Sequence, residues 1–498
     1  MPVRRLLRYV ARKMGTEKMD IGVDGRGTGA PAGYEGRGLG GMEPERPHGA
    51  FMAALLAIAL TTFFAILSAA ALFLVGEAAL ALIRGMDGLR LDWRNGDTIV
   101  AVLAFTATYF VVAIGKLPGF QLDRAGAALL GASVMVGAGV LSLDEAYRAI
   151  DLDTITLLLG MMIVVANLRL SGFFRLTSDF VVARARHPLL LLAAIVMVSG
   201  AFSAFLVNDT ICLVMAPVVL DLVRRLERNP VPYVLAIPMA SNVGSTATIT
   251  GNPQNMMIGS FSGVSYGAFA GALWPVALVG MLSTILLIAL AYHREFLTRD
   301  ALPEIRPPQT RYHGPLILKA VAVTAAMMAL FFAGQPVAKV AIVGGAFLLL
   351  TRKVKSDKVY REIDWPLLLM FVGLFVVVAG LERVVITPDL VAAVGRLDLG
   401  APATLATIAA VLSNVVSNVP AVLVLKPFVA SLSDPKKAWL VVAMASTLAG
   451  NFTLVGSIAN LIVAQKAKAQ GVDLGFWAYF KIGAPLTIAT LGFGVWWL

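Results

Sequence analysis

Long stretches without a charged residue recur along this chain, and Ala54 to Val75 is one of them. A hydrocarbon core about 30 Å thick asks for roughly 20 apolar residues per helical span at about 1.5 Å per residue. Inside the bilayer no water can satisfy free N–H and C=O groups, so such runs become helices that bond internally. Closed β-barrels also cross membranes, but they are built from alternating segments of about ten residues, and these runs are continuous. The expected fold class is an all-α polytopic membrane protein with about 11 transmembrane helices plus two double segments.

The composition agrees, with 58% hydrophobic and only 14% charged residues. The net charge of +11 would suggest nucleic acid in a soluble chain, but here the Lys and Arg residues lie between apolar runs. The positive-inside bias accounts for them, and no nucleic-acid partner is expected. One cysteine, Cys212, excludes a disulfide framework. Four histidines in or beside loops, without H-E-x-x-H, make a histidine-built zinc site unexpected. No cofactor and no enzymatic activity are expected; Gly263-Val-Ser265-Tyr-Gly267 fits a nucleophile elbow but follows a helix rather than a strand.

Residues 1–48 form a Gly-rich, basic tail without apolar periodicity, read as a disordered cytoplasmic segment, and 49–96 carry an extra first span and loop. A first unit covers 97–292 with a double segment near 188–223. A cytoplasmic linker at 293–313 leads to a second unit, 314–498, with a double segment near 402–430. Starting from a cytoplasmic N-terminus, the loops with Arg175, Arg184 and Arg186, with Arg224, Arg225 and Arg228, and with Arg352, Lys353, Lys355 and Lys358 all fall inside. That parity puts the C-terminus outside, in a protein integral to a bacterial inner membrane.

The two units repeat each other. Ser203, Asn208 and Pro217 recur as Ser413, Asn418 and Pro427 at one offset; Met239, Ser241, Thr248, Gly251 and Asn255 recur as Met444, Ser446, Thr453, Gly456 and Asn460 at another. Each unit holds five spans plus a double segment. An odd number inverts the second copy, giving the two inverted-topology repeats of a rocking carrier.

The repeated positions are polar. Ser203 to Thr210 and Ser413 to Pro420 interrupt apolar runs and read as turns at depth, where irregular backbone is tolerated only beside protein or a water-filled cavity. Plain helix–helix hydrogen bonding is the competing reading, weakened by the two symmetric copies. Ser241 to Asn255 and Ser446 to Asn460 break a span each, and their hydroxyls and amides suit a desolvated cation and an oxygen-rich solute. Candidate binding residues are Asn208, Asp209, Thr210, Ser241, Asn242, Gly244, Thr248, Thr250, Gly251, Asn252 and Asn255 in the first unit. In the second they are Ser417, Asn418, Pro420, Ser446, Gly450, Asn451, Thr453, Gly456, Ser457 and Asn460, with Asn208 and Asn418 the candidate positions for Na+. Asp209 is the carboxylate expected deepest in the core, where a charge costs roughly 2.5–3.5 kcal/mol on insertion scales. It is the candidate carrier of a coupling proton, against the alternative of a helix-capping carboxylate. Lys426 reads more simply as a snorkelling side chain.

At these residues the chain resembles the ion transporter superfamily, in its citrate-transporter-like group of arsenite permeases, D-type sodium/proton antiporters and divalent anion:sodium symporters. The Asn208-Asp209 tip and Ser417-Asn418-Val419-Pro420 are similar to the arsenite-permease branch. Val207-Asn208-Asp209 and Ser417-Asn418-Val419 keep the Asn of the symporters' Ser-Asn-Thr tips but not its neighbours. The resemblance implies eleven spans, two re-entrant hairpins whose tips meet at midplane, and a homodimer. The expected function is ion-coupled secondary transport, driven by H+ or Na+, of a metalloid or small inorganic oxyanion. A sodium-coupled dicarboxylate or sulfate symporter and a sodium/proton antiporter are the alternatives within the class; an intramembrane enzyme or scaffold lies outside it. Arsenite is an uncharged hydroxide at neutral pH and needs no fixed positive charge; the core motifs contain no Arg to compensate a dianion.

Overall fold

The computed structural model describes residues 96–115, 121–182, 186–296, 302, 313–351, 354–384 and 398–498. The N-terminal tail, nearly all of the extra segment at 49–96 and most of the linker at 293–313 lie outside the described residues.

Every regular element among the described residues is a helix. The first half runs α1 (Gly96–Ile114), α2 (Arg124–Gly137), α3 (Leu143–Ala149), α4 (Leu152–Ser171), α5 (Phe173–Val182), α6 (Pro188–Phe205), α7 (Asn208–Arg225) and α8 (Pro230–Ser245). A single 3-10 turn (Ile249–Gly251), α9 (Pro253–Ser262), α10 (Tyr266–Ala291) and α11 (His293–Phe296) complete it. The second half repeats that order with α12 (Gly314–Phe332), α13 (Val337–Leu349), α14 (Ser356–Tyr360), α15 (Trp365–Val384), α16 (Pro402–Val416), α17 (Asn418–Ala430) and α18 (Pro435–Leu448). Another 3-10 turn (Ala449–Asn451), α19 (Ile458–Ala469) and α20 (Phe476–Trp497) follow. Seven of these helices, α1, α4, α6, α10, α12, α15 and α20, are long and apolar enough to cross a membrane; α2, α13, α16 and α17 are shorter and apolar.

Local chemistry sets the ends. Ser142 and Glu145 form a reciprocal capping box at the start of α3. Asp151 accepts from the Thr154 N–H to open α4, which Gly172 closes at φ 87. Proline stands at the start of α6, α8, α9, α16 and α18, where its missing N–H costs nothing. Leu318, Trp477 and Trp496 remain exposed on the outer faces, as side chains facing lipid do.

The halves exchange partners. Helix α2 packs on α15 of the other half, and α13 packs on α4. A Cβ on Gly373 would lie 2.5 Å from the Ala128 carbonyl carbon, and one on Gly160 would lie 2.5 Å from that of Ala341. One common offset relates these two contacts, so both glycines serve the same close helix approach. Ion pairs repeat the exchange: Arg169, near the end of α4, pairs with Glu362 ahead of α15, while Arg383, near the end of α15, pairs with Glu145 ahead of α4.

Candidate functional site

The breaks between α6 and α7 and between α16 and α17, the two tips, are tighter than the sequence suggests. Ser203 lies within α6, and only Leu206, extended, and Val207, at φ −56 and ψ 121, separate α6 from α7. Ser413 and Asn414 likewise lie within α16, and Ser417 alone makes the second turn. That residue sits at φ 80, ψ 157, a region glycine normally occupies, at a cost of roughly 1–3 kcal/mol.

Both tips open on one cavity, lined by Asn208, Asp209, Ser417, Asn418, Val419 and Pro420. Pro253, Gln254, Ser457 and Ile458 join them from the two broken spans, with Arg124 from α2 and apolar Val112, Leu367 and Met370. Helices α7, α9, α17 and α19 therefore all begin at this cavity. A helix leaves its first N–H groups without internal partners and carries about half a positive charge there. Four such ends favour the lone pairs of an oxygen-rich ligand. Two acceptors complement them: Asn208 Oδ1 and Asn418 Oδ1 are buried and accept no hydrogen bond. An orphaned buried carbonyl oxygen is costly unless a donor or a cation meets it. The walls thus offer both donors and acceptors, in a volume bounded by apolar side chains.

Behind the cavity stands an amide network that ties the halves together. Asn242 accepts from Asn208 Nδ2 (3.1 Å) and Ser457 Oγ (3.3 Å) and donates to Asn451 Oδ1 (2.9 Å) and Asn460 Oδ1 (3.1 Å). All four of its hydrogen-bonding positions are filled, so it positions Asn208 rather than facing solute. Thr447 stands at the matching place in the second half. It accepts from Asn252 Nδ2 (3.1 Å) and Gln254 Nε2 (3.2 Å) and donates to Asn255 Oδ1 (3.4 Å).

The other candidates divide. Asn255 Nδ2 donates to the carbonyls of Ser245 and Thr248, and Asn460 Nδ2 donates to those of Gly450 and Thr453, so the pair caps the two broken helices identically. Ser241 bridges Ser203 and the Asn208 carbonyl. Thr250 turns away to Tyr266 (2.8 Å), and Thr248 bonds the Ala204 carbonyl. Gly244 and Gly251 provide close backbone approach to Gly200 and Ser245, and Gly456 does so beside Asn414. Ser446 is buried and donates to Ala443 O (3.4 Å). Asn451 donates to the Met239 carbonyl and accepts from Tyr479. Gly450 lies beside Asn242 and Asn418. Thr210 lines a second cavity with Asp209, Arg169, Arg361, Glu362 and Asp364. Asp209 is half-buried and shared by both cavities.

Arg124 corrects the expectation of a site without arginine. It opens α2 and reaches the cavity although about eighty residues separate it from the nearest motif, and its charge acts on Asp209. Its only sequence signal is a cation at the head of an apolar run. Gln254 and Thr447 are further site residues outside the candidate set; Thr447 could have been found, since it stands in register with Asn242.

A family model described as Citrate transporter matches residues 109–449. The chain belongs to the citrate transporter family. An uncharacterized transporter of Mycobacterium tuberculosis (strain CDC 1551 / Oshkosh) is 30% identical, over 79% of this chain and 96% of its own length. A silicon efflux transporter of Oryza sativa subsp. japonica is 27% identical, over 80% of this chain and 96% of its own. The crystal structure of the Alcanivorax borkumensis YdaH transporter, described as having an unusual topology, aligns with a TM-score of 0.51 at 14% identity. It covers 81% of this chain and 97% of that one, a likeness of fold. The protein is a transporter integral to a membrane, and not an enzyme.

Proposed function

We propose that this transporter is an ion-coupled secondary carrier for a small uncharged hydroxide, of the kind formed by arsenite or silicic acid at neutral pH. The observation that carries the reading is the cavity between the two tips, lined by Asn208 and Asn418, each with a buried, unpartnered Oδ1, and by the starts of four helices. A hydroxide supplies O–H donors to the two amide oxygens and lone pairs to the helix ends. A fully deprotonated oxyanion offers acceptors only, and would leave the two carbonyls unsatisfied. The relation to a silicon efflux transporter supports the same class, because dissolved silicon is a neutral hydroxide.

The coupling ion in this reading is H+, carried by Asp209. Its carboxylate feels Arg124 and Asp364 and stands between the site and the second cavity, a position from which a proton can reach either. Na+ held near Asn208 and Asn418 is the alternative. The two halves are read as inverted repeats and the helix pairs α6–α7 and α16–α17 as re-entrant hairpins entering from opposite faces. The N-terminus is then cytoplasmic and the C-terminus extracytoplasmic in a bacterial inner membrane, and the carrier is a homodimer. The reciprocal packing of α2 on α15 and α13 on α4 supports such a symmetry.

Everted membrane vesicles containing the protein test the reading through proton-gradient-driven accumulation of arsenite. Accumulation lost in Asn208→Ala is the expected result. No accumulation, with protein and gradient verified, overturns it, and accumulation driven by a sodium gradient alone moves the coupling to Na+.

A further inference from the structure

Among the described residues, Arg124 is the one cation lining the tip cavity and Asp209 the one anion. The guanidinium lies beside Gly115: a Cβ added there would lie 3.5 Å from its Nε and from one terminal nitrogen. Gly115 ends α1 at φ 89, a conformation that keeps a side chain out of this space. On the other side of Asp209, Arg169 is committed to Glu362, Arg361 stands exposed, and Asp364 caps α15 by accepting from the Leu367 N–H (3.0 Å). Lys426 stacks over Phe261, 4.6 Å from the ring centre, with Glu382 as its neighbouring charge, and lines neither cavity. Among the described residues, no charge other than Arg124 lines the tip cavity beside Asp209.

We infer that Arg124 is a specificity-determining residue: while Asp209 is ionised, Arg124 balances it and holds the tip cavity at zero formal charge, so that in this state the site takes an uncharged hydroxide and refuses ions of either sign. The inference rests on the proposed transport of a hydroxide and names what selects it. A low-dielectric site that carries a net charge attracts the opposite ion and pays to bind a neutral one; a balanced site does neither. Removing Asp209 leaves the guanidinium to capture a monoanion. Removing Arg124 leaves the carboxylate to capture a cation. Removing both restores balance, at the cost of proton coupling alone.

Proteoliposomes without a proton gradient separate these cases, since downhill arsenite movement needs no coupling. Arg124→Gln and Asp209→Asn are each expected to slow it by at least about tenfold, because each leaves the cavity's other charge unbalanced. Asp209→Asn becomes inhibited by arsenate and Arg124→Gln by Na+, neither of which affects the parent protein. The double variant is expected to recover to within about threefold of the parent, a rescue that misfolding cannot produce. A double variant no faster than the slower single, or an Arg124→Gln protein at parental rate, overturns the inference. If the parent protein moves no arsenite, the hydroxide reading fails. The pairing is then decided by thermal midpoints in detergent, where the double variant must be more stable than at least one single variant, and midpoint losses that simply add refute it.

Discussion

At the first tip, Leu206 and Val207 carry the chain from α6 to α7 with ordinary negative φ values, and Asn208-Asp209 follow. At the second, Ser417 turns alone at φ 80, and Asn418-Val419-Pro420 follow. The asparagines are equivalent, each with a buried unpartnered Oδ1, but the first tip carries charge and the second carries backbone strain. The first also has a cationic neighbour, Arg124, whereas the Pro420 carbonyl at the second accepts from Tyr109 (3.3 Å). On the proposed reading, the recognition group stands in both halves and the ionisable group in one. The same reading assigns coupling to the first tip and shape to the second.

The largest effect expected from this division is at Asp209. Asp209→Asn should reduce gradient-driven arsenite accumulation to background, whereas Val419→Ala at the matching position should leave it gradient-dependent. Equal loss in both would erase the distinction.

Next come the network residues behind the tips. Asn242→Ala strands two donors and two acceptors from both halves, and Thr447→Ala strands fewer. At roughly 1–3 kcal/mol for a buried group left unsatisfied, Asn242→Ala should lower the thermal midpoint more than Thr447→Ala. The reverse order would mean that the second half anchors the network.

A smaller effect of opposite sign is expected at the turn. Ser417→Gly relieves roughly 1–3 kcal/mol of strain and adds about 0.5–1 kcal/mol of chain entropy, so the protein should gain about 1 kcal/mol in stability. Val207→Gly relieves nothing and should destabilise. A Ser417→Gly variant that loses stability would remove strain from the comparison.

The smallest effect concerns the reciprocal ion pairs. Arg169→Gln breaks a half-buried pair at the edge of the second cavity, and Arg383→Gln an exposed one that solvent screens and that is expected to matter least. Hydrogen bonds from the Ser142 backbone and hydroxyl, then Arg383, hold the Glu145 carboxyl down at about 2. Its contribution is therefore complete above the ordinary carboxylate range and lost only as pH falls through about 2, so the Arg383 effect should be flat with pH around neutrality.

Much of this was legible in the chain. The apolar runs gave the helices because bilayer thickness fixes their length, and Asn208, Asn418, Asn255 and Asn460 stood out because a repeat exposes itself by register. What the runs hid is direction. Periodicity cannot tell that Asn242 spends all its hydrogen bonds inside the protein, that Thr250 turns to Tyr266, or that Ser417 takes a glycine-like conformation. Arg124 was hidden for another reason: its place in the cavity depends on α2 packing across the repeat, a contact between segments far apart in the chain.

Direct binding of arsenite to purified protein, compared among the parent, Asn208→Ala and Asn418→Ala, tests whether the two tips build one site. Loss of binding in both variants is the expected result, because each removes one of the two unpartnered acceptors. Parental affinity in both would contradict a site between the tips, whatever the protein transports.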